Sequence, residues 1–96
     1  MDEKRELKRA LRARERETAE KALPAPKEML LALLNHLDEK LAHEACDHTL
    51  RLTLAWAAAQ GLDGERIASW TRENGGFCDC EVLANVASNN PAFDGV

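Results

Sequence analysis

Residues 46–61 read Cys-Asp-His-Thr-Leu-Arg-Leu-Thr-Leu-Ala-Trp-Ala-Ala-Ala-Gln-Gly, CDHTLRLTLAWAAAQG. From Leu52 to Ala59 every position but Thr53 is apolar, and alanine and leucine dominate. Those residue types favour helix over strand. Gly61 is a natural residue to follow a helix, because it adopts the left-handed conformation that ends one. The stretch predicts a helix from Asp47 or His48 to Gln60, with Asp47 as its N-cap. A helix apolar nearly all round must be covered on several sides, so it belongs at the centre of the domain.

Working outward, the preceding segment is also helical. Pro24-Ala25-Pro26 breaks the chain, and Pro26 suits the first helical position of an element running from about 26 to 43. Leu30, Leu33, Leu34, Leu37 and Leu41 form its apolar stripe. His36 and His43 fall beside that stripe and read as surface or boundary residues. On the other side, Asp63 starts a fourth helix whose inner face is Ile67, Ala68, Trp70 and Thr71, and Asn74-Gly75-Gly76 closes it. Residues 81–87 are apolar and short, and fit either a helical turn or two or an extended piece. Residues 88–96, with Asn90-Pro91 and Asp94-Gly95, read as a flexible tail.

Residues 1–23 are strong helix formers with dense charge and only Leu7 and Leu11 for early apolar support. Arg5, Lys8, Arg9, Arg12 and Arg16 share one side at helical spacing. The segment's glutamates balance them, so the stripe reads as a solvated face. The fold expected is mainly α: three core helices in residues 24–87, a charged N-terminal helix in 1–23 and a tail in 88–96.

The chain has 96 residues and a formal charge of −4. That length makes one domain with a thin core. The acidic balance argues against a general nucleic-acid binder. No apolar run is long enough to span a bilayer, and no secretory segment is visible, so a soluble cytoplasmic protein is expected. A protein partner is compatible with the sequence, which leaves its identity and the oligomeric state undetermined.

All three cysteines lie in two short clusters, Cys46-Asp47-His48 and Cys78-Asp79-Cys80. An odd cysteine count without a secretory segment argues against a disulfide framework. Three thiolates and an imidazole make the ligand set of a closed structural zinc site, with Cys46, His48, Cys78 and Cys80 as ligands. The single residue between paired ligands is tighter than the usual two to four. The first cluster lies between the second and third helices and the second follows the fourth, so two antiparallel helices return the chain to one end of the domain. Such a site carries a net negative charge, which amides at the start of the third helix and Arg51 can offset.

Other readings stand beside this one. The cysteines can be buried apolar residues. Cys78 and Cys80 can form a reversible disulfide, with Cys46 resolving, as in a thiol redox sensor. A cysteine nucleophile with His48 as base would make an enzyme, but no oxyanion loop is recognisable. Thr49, Arg51, Glu81 and Asn85 can bind a small anion, or Arg51 and Glu81 can pair while Asn85 satisfies backbone groups. Asp47 and Asp79 can orient His48 or accept backbone amides at a turn; as local features they read as a helix cap and a turn residue.

The strings Cys46–Thr53, CDHTLRLT, and Gly75–Val86, GGFCDCEVLANV, resemble a small bacterial family, domain of unknown function 2695. The resemblance spans residues 24–87 and implies that both clusters belong to one family pattern. Among the matching positions are Asp47, Arg51, Asp79, Glu81 and Asn85 as well as the three cysteines and His48. His36, His43 and the charged N-terminal segment lie outside that pattern. The family brings no activity to transfer.

Overall fold

The structure is a computed structural model that describes residues 2–94. It is helical, with no strand among the described residues. Helix α1 spans Asp2–Lys21, α2 Lys27–Leu41, α3 Arg51–Ala59 and α4 Gly64–Glu73. A C-terminal helix follows in residues 79–89. It begins and ends in α geometry, with a π-helical segment, Val82–Val86, between. A 3₁₀ turn, Pro91–Phe93, completes the chain.

The core is built from the predicted stripes. Leu30, Leu33 and Leu37 of α2 are buried, with Leu34 and Leu41 at its edge. Each fully buried leucine contributes about 2 kcal/mol. Ile67, Ala68 and Trp70 of α4 enter the same cluster, and the Trp70 and Phe93 rings meet at 6.1 Å in a tilted arrangement. Asp63 caps α4 as its sequence suggests, accepting from the amides of Glu65 at 3.0 Å and Arg66 at 3.4 Å.

The helix starts differ from expectation. Pro26 occupies the N-cap of α2, one position before the helix, and its carbonyl accepts from Met29 and Leu30. Helix α3 starts at Arg51, three or four residues later than predicted, because His48 takes a left-handed φ of 67° that no helix accommodates. Asp47 therefore caps a turn ahead of α3 rather than the helix itself. Nor is α3 enclosed. Leu52, Thr53, Trp56 and Ala57 point inward, while Leu54, Ala55, Ala58 and Ala59 face out. Alanine carries so little apolar area that leaving it wet costs little.

The C-terminal region decides one open reading and corrects one expectation. Residues 81–87 are helical, and Val82 and Val86 are fully buried. The segment read as a flexible tail is packed as far as residue 93. Asn90, Ala92 and Phe93 are buried, and the Asn90 side chain accepts from the Ala92 amide at 2.9 Å. Its Asn-Pro pair starts a 3₁₀ turn and does not release the chain. The last two residues of that segment, 95–96, lie outside the described residues, as does Met1.

Helix α1 meets the rest of the protein at that 3₁₀ turn. Residues 3–18 of α1 are exposed along their length, and the molecule measures 50 × 25 × 19 Å. Among the described residues no helix is long and apolar enough to cross a membrane.

Candidate metal centre

Two chain reversals bring the cysteine clusters together. The first is the irregular loop between α2 and α3. The second follows α4, where Gly75 takes a φ of 86° at the helix end. Gly76 lies so close to the C-terminal helix that an added Cβ would sit 2.8 Å from Val82 Cγ2 and 3.1 Å from Val82 Cα. Cys78 is extended, with φ −145° and ψ 169°, and Asp79 opens the next helix.

The sulfurs of Cys46, Cys78 and Cys80 all lie within 4.8 Å of one another. Cys78 and Cys80 approach to 3.3 Å. Tetrahedral zinc with about 2.3 Å bonds to sulfur separates its thiolates by about 3.8 Å, so modest side-chain adjustment reaches that geometry. The group runs from buried Cys78 through half-buried Cys46 to exposed Cys80. His48, the fourth residue of the sequence-derived set, is exposed on the same loop, and its ring nitrogens are not in this close group.

The electrostatics of the three thiols differ. Backbone amides, that of Cys80 first and that of His48 next, hold Cys46 below the ordinary thiol range. Burial pushes Cys78 up to about 12, against the opposing amide of Glu81. The amides that favour thiolate thus belong to the two clusters and to Glu81 beside the second. The first-turn amides of α3, expected to fill this role, go elsewhere.

They go to Asp79, the feature local sequence reasoning missed. Asp79 is almost wholly buried. Its Oδ2 accepts from the Leu52 amide at 2.9 Å, and its Oδ1 from the Thr53 amide at 2.9 Å and the Thr53 hydroxyl at 2.7 Å. Its own amide donates to the Thr49 carbonyl at 2.9 Å. Asp79 is therefore no simple turn residue. It caps α3 from a distant part of the chain, where the helix has no side-chain cap of its own at Leu50.

Asp47 does the corresponding work locally. Its Oδ1 accepts from the Thr49 amide at 3.1 Å and from the Thr49 hydroxyl at 2.6 Å. The Thr49 hydroxyl, foremost, holds this carboxyl below its usual range, with Arg51 assisting. Thr49 Oγ1 in turn accepts from the Arg51 amide. Arg51 pairs with Asp47 at 3.3 Å and Glu44 at 3.5 Å. It does not pair with Glu81, as one reading supposed, and its charge is already matched by carboxylates. Glu81 is half-buried one residue past Cys80, and Asn85 donates to the Gly75 carbonyl at 3.1 Å, locking the loop before the second cluster.

Residues 33–85 match the family model described as protein of unknown function (DUF2695). The chain is also 36% identical over 83 residues to the uncharacterized proteins Mb2294 of Mycobacterium bovis and Rv2271 of Mycobacterium tuberculosis H37Rv. The alignment covers 86% of this chain and 84% of each relative. No solved structure matches the chain. The family match includes both cysteine clusters and leaves α1 outside it.

Proposed function

We propose that this chain, which belongs to the DUF2695 family, is a helical interaction or regulatory module stapled by one zinc ion. The observation that carries the reading is the approach of three sulfurs from positions 46, 78 and 80 to within 4.8 Å. Cys46, Cys78 and Cys80 supply three ligands. His48 supplies the fourth: it lies two residues from Cys46 and is exposed on the same loop. A borderline-soft cation that favours sulfur and nitrogen in a tetrahedron fits that donor set. Asp79 holds the second cluster against α3, so the metal ties the end of α4 to the start of α3. Residues 24–87 form the metal-carrying unit. In so small a chain the metal's binding free energy becomes folding free energy. Protein purified without added metal is expected to carry one zinc per chain, and to hold it more weakly on replacement of Cys46 or Cys80 by serine. A metal-free preparation with the same melting curve before and after chelator refutes the reading.

The 3.3 Å approach of Cys78 and Cys80 favours a second reading, a thiol redox sensor. Mild peroxide would then remove two hydrogens and bridge the second cluster, and reductant would restore it. The zinc reading expects slow reaction until the metal is withdrawn, which mass spectrometry distinguishes.

A further inference from the structure

The three sulfurs meet without a fourth donor. Among the described residues no histidine nitrogen and no carboxylate oxygen joins Cys46, Cys78 and Cys80 within 4.8 Å. The acids of the two clusters are occupied. Asp79 is buried and spends both oxygens on the start of α3. Asp47 is held by Thr49 and Arg51, and Glu44 by Arg51. Zinc fills its tetrahedron only when a further ligand, His48 in the reading above, joins the group. An ion that bonds three sulfurs and nothing else needs no such addition.

Charge and spacing select the ion further. Three thiolates carry three negative charges, one of them on buried Cys78. Backbone amides at Cys46 and Cys78 offset part of that charge. The Arg51 guanidinium is already matched by two carboxylates. Among ions that prefer soft sulfur, a trivalent one leaves the group neutral, whereas a divalent one leaves one negative charge and a monovalent one leaves two. Residual charge beside a buried group is unfavourable, which favours the trivalent ion. Trivalent arsenic and antimony bond three sulfurs in a pyramid, with a lone pair where a tetrahedral ion would hold its fourth ligand. Their narrow bond angles draw the sulfurs closer than the about 3.8 Å of a zinc tetrahedron. Cys78 and Cys80 already stand at 3.3 Å.

We propose that the three-cysteine group is a binding site for a trivalent thiophilic metalloid, with arsenite as the probe. Arsenite, As(OH)3, and three thiols give As(SR)3 and three waters. Three As–O bonds break, three As–S bonds form, and each thiol proton leaves on a hydroxide of the arsenite. Nothing is oxidised or reduced. Where zinc holds the sulfurs as thiolates, the three protons come from solvent and one zinc ion departs. Exposed Cys80 is the point of entry, and buried Cys78 closes the pyramid from within. The proposal rests on the same convergence of sulfurs as the zinc reading, but not on His48.

The test is mass spectrometry under non-denaturing conditions on the full chain as purified, treated anaerobically with a small excess of sodium arsenite and a phosphine reductant. The expected mass is that of the metal-free thiol form plus one arsenic less three hydrogens. All three cysteines should be closed to iodoacetamide, and any bound zinc released one for one. Cys80→Ser is expected to weaken arsenite at least about tenfold. His48→Asn, which tolerates the left-handed backbone, should leave arsenite binding unchanged while weakening zinc about tenfold or more. A chain that takes no arsenic, or takes it with one cysteine still open to iodoacetamide, overturns the proposal, as does loss of arsenic in His48→Asn. Protein that purifies without zinc yet takes one arsenic refutes the zinc reading alone. Zinc retained at one per chain in excess arsenite overturns this proposal alone.

Discussion

Asp79 stands between two cysteines, yet its carboxylate serves a helix that begins 28 residues earlier in the chain. Three hydrogen bonds converge on one buried anion, all from the first turn of α3 and its threonine. Hydrogen bonds to a charged group stabilise more than neutral ones, and orphaned buried donors are costly. Asp79→Ala is therefore expected to cost about 3 kcal/mol of unfolding free energy, read from denaturant midpoints, and to lower zinc uptake by loosening the second cluster. Thr53→Val, which removes one of the three donors, should cost about 1 kcal/mol. An Asp79→Ala protein as stable as wild type would remove the role assigned here. Local reasoning saw only a short polar residue at a turn, because the partners that define it are 26 and 27 positions away. Cys78 gives a pH dependence of known sign. Folding raises its thiol from the ordinary 9.0 to about 12, so the metal-free fold binds that proton more tightly than the unfolded chain. The resulting stability is complete below about pH 9 and drains away as pH rises toward 12. Urea midpoints of metal-free protein should fall over that alkaline window, and Cys78→Ser should flatten the fall.

The helices with a clear apolar period were legible, and their joints were less so. The stripe Leu30, Leu33, Leu37 and the face Ile67, Ala68, Trp70 are inside as their spacing requires. The start of α3 was misplaced because His48 can leave the helical region at a cost that residue type does not reveal, the backbone cost being offset by the turn Asp47 and Thr49 build around it. Residues 81–87 were ambiguous because a π segment shifts the period that separates helix from strand. Two glycines that look alike in sequence have different work. Gly61 needs its left-handed φ of 72° but has open space around it. Gly76 needs room, since a side chain there meets Val82. Gly61→Ala should cost about 1 kcal/mol through backbone strain alone, whereas Gly76→Ala should cost about 2–3 kcal/mol and shift the C-terminal helix. Thermal and chemical unfolding of both variants rank them, and equal costs would contradict the close approach.

Taken together, the molecule is a small acidic helical body with a charged arm projecting from it. The class of fold was legible because alanine and leucine favour helix over strand, and the meeting of the clusters because two helices return the chain on itself. The packed end at Asn90–Phe93 was not, since Asn and Pro mark turns whether or not the turn is buried. With a core this thin, metal withdrawal is expected to lower the thermal midpoint by well over about 10 °C and to be reversed by added zinc, which calorimetry checks. Zinc K-edge absorption on the purified chain addresses the convergence of both clusters on one ion. The expected spectrum has three sulfurs at about 2.3 Å and one nitrogen at about 2.0 Å, and loses one sulfur in Cys46→Ser. A shell of oxygen and nitrogen alone, or one that Cys46→Ser leaves unchanged, would contradict it.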